Sequence, residues 1–301
     1  MRFAHTCVAV VVLLSASAAT ATADPASYNY PSGLAAQLAD PGQSPPGAND
    51  WNCEPAAAHP NPVVLLHGLS NQTITWNTMS PVLAAAGYCV YSMTFGTGAL
   101  GSVIGAVAPV PDSAAQIADF IDRVRAATKS DKVDLVGHSI GAAIPFYYLN
   151  HLGGVPKVDR FVALAAPFHG STLSGLGAVQ PPESTPLGRE LVQQCGPCAL
   201  SVGSSFLRDL NPDPTIAPNI RFTTIVTRYD QISTPFTTGL LDGPNVDNVV
   251  VQDLCATDFT EHSELTYDPV AVHVVLNALD PDRAQPVGCT VVLPYVGPFA
   301  R

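Results

Sequence analysis

Residues 133–141 read Val133-Asp134-Leu135-Val136-Gly137-His138-Ser139-Ile140-Gly141. A short, β-type apolar run passes straight into Gly-x-Ser-x-Gly and then into a helix-like stretch, Ala142 to Leu152. Strand, sharp turn and helix, in that order, form the setting of a nucleophile elbow. The turn forces its central residue into a strained backbone conformation. A glycine two residues to either side lets strand and helix pack closely around it. The serine oxygen then stands at a helix N-terminus, where backbone N–H groups lack intrahelical partners. Gly-x-Ser-x-Gly by itself is a weak signal. The flanking strand and helix make Ser139 a candidate nucleophile rather than a serine in a Gly-rich turn.

Outward from this stretch, strand-like and helix-like segments alternate. Val63 to Leu66 is continuously apolar, which suits a strand buried on both faces. Tyr88–Phe95, Lys132–Val136, Phe161–Ala166, Arg221–Val226 and Val246–Val251 read as further strands. Helices are expected over Thr75–Ala86, closed by Gly87, and over Asp112–Thr128. In the latter, Ile117, Phe120, Ile121 and Val124 share one face. Another is expected over Ile140–Leu152, and a last one over Asp268–Leu279, with Pro269 in its first turn. The alternation predicts an α/β fold: a mainly parallel central sheet with helices on both faces. Residues 24–60 read as an N-terminal arm without strong periodicity, 61–280 as the catalytic domain and 281–301 as a C-terminal tail. The Pro-rich stretch at about 167–219 is long for a connection and reads as a cap or lid insertion.

The chain has 301 residues, 12% charged and 47% apolar, enough to build one large core. Residues 1–23 have the form of a secretory signal: Arg2 and His5, the apolar run Val8–Leu14, and Ala21-Thr22-Ala23 as an A-x-A cleavage site. The apolar run is too short to span a bilayer. The expectation is a soluble, secreted, extracellular and monomeric protein, cut before Asp24. Loss of Arg2 would take the net charge from −11 to −12. Such acidity argues against nucleic acid as a partner and against strong anchoring to anionic lipid, but not against transient contact with a neutral oil surface.

Seven cysteines become six once Cys7 leaves with the signal, and an even number in a secreted chain implies disulfides. Fifteen connectivities are possible. Order along the chain favours Cys53–Cys89, Cys195–Cys198 and Cys255–Cys289, the last pinning the tail over the region of His262. Cys195-Gly196-Pro197-Cys198 matches the redox tetrapeptide of thioredoxin-like proteins, but that role needs the motif at a strand end, opening a helix in a compact βαβ unit. Following a polar, Pro-containing stretch, it reads as a structural staple.

A serine nucleophile needs a base held by an acid, and behind an elbow of this kind the chain order is Ser, then Asp or Glu, then His. Arg221–Val226 leads to Asp230, and Val249–Val251 leads to a loop containing His262. Both lie beyond carboxyl ends of strands, where open α/β sheets bind ligands. His67 and His169 also occupy strand-end loops but precede the acid, and His273 reads as a packing residue. Asp247, Asp253 and Asp258 fall at or after the strand that delivers the histidine and read as solvated or capping carboxylates. Two N–H donors are needed for an oxyanion. Ile140 follows the nucleophile, and Leu69 follows Gly68, whose freedom of backbone angle would turn the Leu69 N–H inward. Their side chains, with 99–110 and 173–179, would line an acyl pocket. No metal ligand set emerges and no cofactor is expected. Gly96, Gly98 and Gly101 have dinucleotide-type spacing but open no helix.

Several stretches together resemble secreted bacterial lipases of the class 2 type, α/β-hydrolases common in actinobacteria. They are Val63–Gly68, Tyr88-Cys89-Val90, Val136–Gly141, Ala165–Ser171, and Val251–Cys255 with His262. The resemblance runs from about Trp51 to Leu279. It implies the α/β-hydrolase fold and cleavage of carboxylic esters of glycerol, with Ser139, Asp230 and His262 as triad and Leu69 and Ile140 as oxyanion donors. Triacylglycerols or other apolar esters are the implied substrates. Acyl transfer to another alcohol, or polyester cleavage, would use the same groups. A hydrolase-fold binding protein is the non-enzymatic alternative.

Overall fold

The computed structural model describes residues 27–98, 101–175, 181–210 and 213–299, so the signal-like segment lies outside the described residues. The apolar runs form β1 (Val63–Leu66), β2 (Val90–Met93), β3 (Val133–His138), β4 (Val158–Leu164), β5 (Arg221–Val226) and β6 (Val246–Val250). They pair in the order β2-β1-β3-β4-β5-β6, every pair parallel. Helices flank the sheet: α1 (Tyr30–Ala39), α2 (Met79–Ala85), α3 (Val110–Thr128) and α4 (Ile140–His151). Next come α5 (Pro186–Gln194), α6 (Gly196–Ala199) and α7 (Ser205–Leu210), followed by α8 (Val251–Leu254) and α9 (Pro269–Leu279).

Alternation of side chains across a sheet covered on both faces explains why β1 is apolar throughout. Val64, Leu66, Leu135 and Phe161 enter the core shared with α3 and α4, while Val63, Leu65, Val136 and Val162 enter the core shared with α2 and α9. In α3, the face carrying Ile117, Phe120, Ile121 and Val124 is buried. Among the described residues, no helix is long and apolar enough to cross a membrane.

Three elements differ from the sequence reading, each for a local reason. The helix expected from Thr75 is a 3₁₀ turn, Thr73–Trp76, followed by α2. Pro81 lacks an N–H and fits only the first turn of a helix, so α2 begins beside it. The fourth strand begins earlier, at Val158, and ends before Ala165, whose φ is 50°. The arm, read as aperiodic, contains α1. Gly33 interrupts its first turn, Leu34 to Ala39 is a run of strong helix formers, and its cap and its docking hold it in place. Asn29 accepts the Ser32 N–H at 2.9 Å, and a Cβ on Gly33 would lie 1.9 Å from Tyr267 Oη.

The tail closes with a short antiparallel pair, β7 (Val292–Leu293) and β8 (Gly297–Pro298). Disulfides join Cys53 to Cys89, Cys195 to Cys198 and Cys255 to Cys289. The Cys195-Gly196-Pro197-Cys198 segment does open a helix, the single turn α6, but it follows α5 rather than a strand.

Candidate active site

The chain leaves β1 toward β2 on one side and returns as β3 on the other. At such a switch point, a crevice opens outside the carboxyl ends of the strands. Leu66 of β1 sits beside Gly137 of β3, so the loop after β1 and the turn after β3 meet there. Ser139 occupies that turn with φ 56° and ψ −127°, a region a non-glycine residue enters only when its surroundings hold it. Its N–H donates to the Leu164 carbonyl at 2.8 Å. The flanking glycines are required by space. A Cβ on Gly137 would lie 2.4 Å from the Gly141 carbonyl oxygen, and one on Gly141 would lie 2.2 Å from that of His67.

Asp230 follows β5, and its carboxylate is fully engaged. Oδ1 accepts the N–H groups of Ile232 at 2.8 Å and Ser233 at 2.7 Å. His262 Nδ1 donates to Oδ2 at 2.9 Å and lies 3.0 Å from Oδ1. The two side chains are 2% and 6% exposed, so water does little to screen the pair. With Nδ1 committed, Nε2 is the nitrogen left for the pocket that the ring lines together with Ser139. That pocket has a volume of about 360 Å³.

The remaining polar groups are arranged around these three. His138 Nε2–H donates to the His262 carbonyl at 2.9 Å, tying the elbow to the histidine loop. Burial, and then the neighbouring His262, hold His138 well below the usual imidazole range, so it stays neutral. His67 is fully buried; its Nδ1–H donates to the Gly68 carbonyl at 2.8 Å, and Nε2 accepts the Phe95 N–H at 3.2 Å. Burial pushes its pKa down to about 4. It serves as a fixed brace under the loop that carries Leu69. Ser233 donates to the Ala165 carbonyl at 2.8 Å, and Thr227 donates to that of Thr260 at 2.7 Å. These bonds join the loops after β4, β5 and β6.

The N–H groups of Leu69 and Ile140 donate to no protein acceptor among the described residues, and both residues line the pocket. Gly68 has its place for a different reason than its backbone angle. It lies outside the left-handed region, which Ser70 enters instead with φ 60°. What Gly68 supplies is room, since a Cβ there would stand 2.8 Å from His138 Nδ1 and 3.2 Å from the Ser139 Cβ.

Two other expectations need correction. None of residues 101–110 lines the pocket; Ala106 and Val110 are buried in the core, and Ala99 and Leu100 lie outside the described residues. Of 173–179, Leu173 lines it, and 176–179 lie outside the described residues. Asp258 is completely buried, not solvated, and desolvation raises its pKa; Asp253 and Asp247 are exposed, in ion pairs with Arg228 and Arg221. Asp258 belongs to a set of buried carboxyls around the histidine loop, with Glu261, Glu264 and Asp268. Among the described residues, no group of three or more His, Cys, Asp or Glu is placed to hold a metal ion. Periodicity carries no sign of Glu264, His138 or α1 as parts of the site. Asn29 followed by Pro31 was the available signal for α1.

The model of the class 2 lipase family matches residues 60–275, and the chain belongs to that family. Its fold is that of solved α/β-hydrolases. Aspergillus fumigatus lipase B superposes with a TM-score of 0.60 at 20% identity, over 81% of this chain; this chain spans 57% of the length of that lipase. Bacillus licheniformis lipase BlEst2 in its mature form gives 0.55 at 18% identity, covering 75% of this chain and 94% of its own. The pyrethroid hydrolase PytH gives 0.51 at 17%, covering 74% and 99%.

Proposed function

We propose that this member of the class 2 lipase family is a secreted serine hydrolase of apolar carboxylic esters, triacylglycerols among them. It would work through an acyl-enzyme on Ser139, with His262 as general base and Asp230 as its partner. One observation carries the reading. The imidazole of His262, held by the buried Asp230, and the strained Ser139 turn border the same pocket, which Leu34, Leu69, Ile140, Leu173, Leu200 and Ile232 also line.

The steps follow from the groups at the site. Ser139 Oγ attacks the ester carbonyl while His262 Nε2 takes its proton. Asp230 holds the ring with Nδ1 protonated and stabilises the imidazolium. The N–H groups of Leu69 and Ile140 receive the oxyanion, with the second also at the N-terminus of α4. His262 then protonates the departing alcohol and deprotonates the water that releases the acid. The three disulfides support secretion, because such bonds persist in oxidising compartments. The engaged Asp–His pair speaks against a binding protein that merely uses the scaffold.

The decisive experiment is Ser139→Ala. The folded variant is expected to lose hydrolysis of p-nitrophenyl butyrate by at least about a thousandfold and to lose labelling by a phosphonofluoridate. Retained hydrolysis by a properly folded variant would end the proposal.

A further inference from the structure

One wall of the pocket comes from outside the stretch that matches the family model. α1 presents Tyr30, Leu34 and Gln37 to the pocket, at helical positions i, i+4 and i+7. It is anchored at both ends to the loops that carry the proposed chemistry. The Tyr30 N–H donates to Glu264 Oε2 at 2.8 Å, two residues beyond His262. Gln37 Nε2 donates to the Ser70 carbonyl at 3.1 Å, one residue beyond Leu69. Tyr30 also packs edge-on against Tyr267 and Tyr295, with ring centroids 6.0 and 6.2 Å apart. α1 therefore crosses the site like a strap from the histidine loop to the loop after β1.

Between the two anchors, Leu34 is the apolar residue that faces the pocket, and it is still 40% exposed. The exposed part of an aliphatic side chain in that position gains burial when an apolar chain lies against it. A short acyl group at Ser139 reaches the nearby walls of Leu69 and Ile140. A longer one must continue along the pocket. We infer that α1 is the specificity-determining wall of this site, and that Leu34 contacts the distal part of a longer acyl chain and favours it over a short one. The inference rests on the ester-hydrolase reading above.

The test uses the full chain with Leu34→Ala and with Leu34→Asn, which keeps the shape and adds polarity. kcat/KM is measured on p-nitrophenyl decanoate and butyrate, alongside the rate of labelling by a small phosphonofluoridate. Removing a few methylene-sized contacts in an apolar pocket is expected to lower the decanoate-to-butyrate ratio about fivefold to tenfold. Butyrate turnover and labelling should fall less than decanoate turnover, and Leu34→Met should restore the ratio. A ratio unchanged in both variants overturns the inference. So does an equal loss on both esters with slower labelling, because that pattern marks α1 as a general support. A parent chain that neither labels nor hydrolyses either ester overturns the underlying function and this inference with it, and needs no variant to be recognised.

Discussion

Asp230→Asn separates the roles of the carboxylate's two oxygens. Oδ1 accepts two backbone N–H groups, from Ile232 and Ser233, at 2.8 and 2.7 Å. An asparagine must keep its carbonyl oxygen there, because the flipped amide would leave two donors facing its NH₂, each at about 1–3 kcal/mol. Its nitrogen therefore takes the place of Oδ2, 2.9 Å from His262 Nδ1. Two donors cannot share that contact, so the imidazole moves its proton to Nε2. The ring then meets the serine hydroxyl with the wrong tautomer and without a negative charge behind it. The expected loss in kcat is on the order of 10⁴, equivalent to about 5 kcal/mol of transition-state stabilisation. The near-isosteric change should leave the fold intact. The assay is kcat on p-nitrophenyl butyrate, with the melting temperature as control. A folded Asp230→Asn enzyme that keeps more than about a tenth of the parental kcat would refute the assignment of Asp230.

Gly141→Ala must open a backbone contact from 2.2 Å toward the ordinary 3.4 Å, at the point where α4 meets the loop after β1. It is expected to cost at least about 1–3 kcal/mol in denaturant unfolding and most of the activity; a fully active, equally stable variant would contradict the structure. Burial drives the pKa of Glu264 up to about 8 from an ordinary 4.5. The folded chain holds a proton that the unfolded chain has released across that window, so this group's contribution to stability is present below pH 4.5 and lost as pH rises through 8. Glu264→Gln should thus gain in melting temperature relative to the parent between pH 5 and pH 9; a constant difference would count against the burial. Cys53–Cys89 closes a separation of 36 residues and Cys195–Cys198 one of 3. Replacing each pair by serines should cost about 4 and about 2 kcal/mol respectively on the loop-entropy scale, measured by chemical denaturation; the reverse ranking would refute it.

How much of this was legible in the chain follows from the range of the forces involved. The elbow is local: β-type residues, two glycines and a helix former sit within a dozen positions, although only the space at Gly137 is set by near neighbours, and that at Gly141 by Leu66 and His67. Asp230 and His262 are 32 positions apart and were reachable only because parallel strands deliver their loops to one edge of the sheet. α1 was legible only in part. Asn29 and Pro31 mark its start and Leu34 to Ala39 are strong helix formers, but Gly33 breaks the run and is accounted for by Tyr267, far along the chain, which fills the space a side chain would need. Glu264, which is fully buried, is likewise placed by distant parts of the chain. Its burial comes from Tyr30 and the β7–β8 tail, which no periodicity within 261–266 encodes.

The strained serine turn is held by its own N–H on the Leu164 carbonyl, and several bonds between the loops around it are of one kind. His138 to the His262 carbonyl, Ser233 to that of Ala165, Thr227 to that of Thr260, and Gln37 to that of Ser70 are all side-chain donors on backbone oxygens. Apart from Asp230–His262 itself, the ion pairs among the described residues lie on exposed or half-exposed side chains. Exposed pairs of that sort contribute little and fade with salt, whereas the bonds of His138, Ser233 and Thr227, all buried, are strengthened by the dry interior, as the exposed Gln37–Ser70 bond is not. A side chain that bonds to a neighbouring loop's main chain fixes where that loop runs without fixing which residue it carries at the bonded position. An arrangement of this kind holds the loops around Ser139 in register and leaves their outward side chains, Leu69 and Ile232 among them, free to be shaped for substrate.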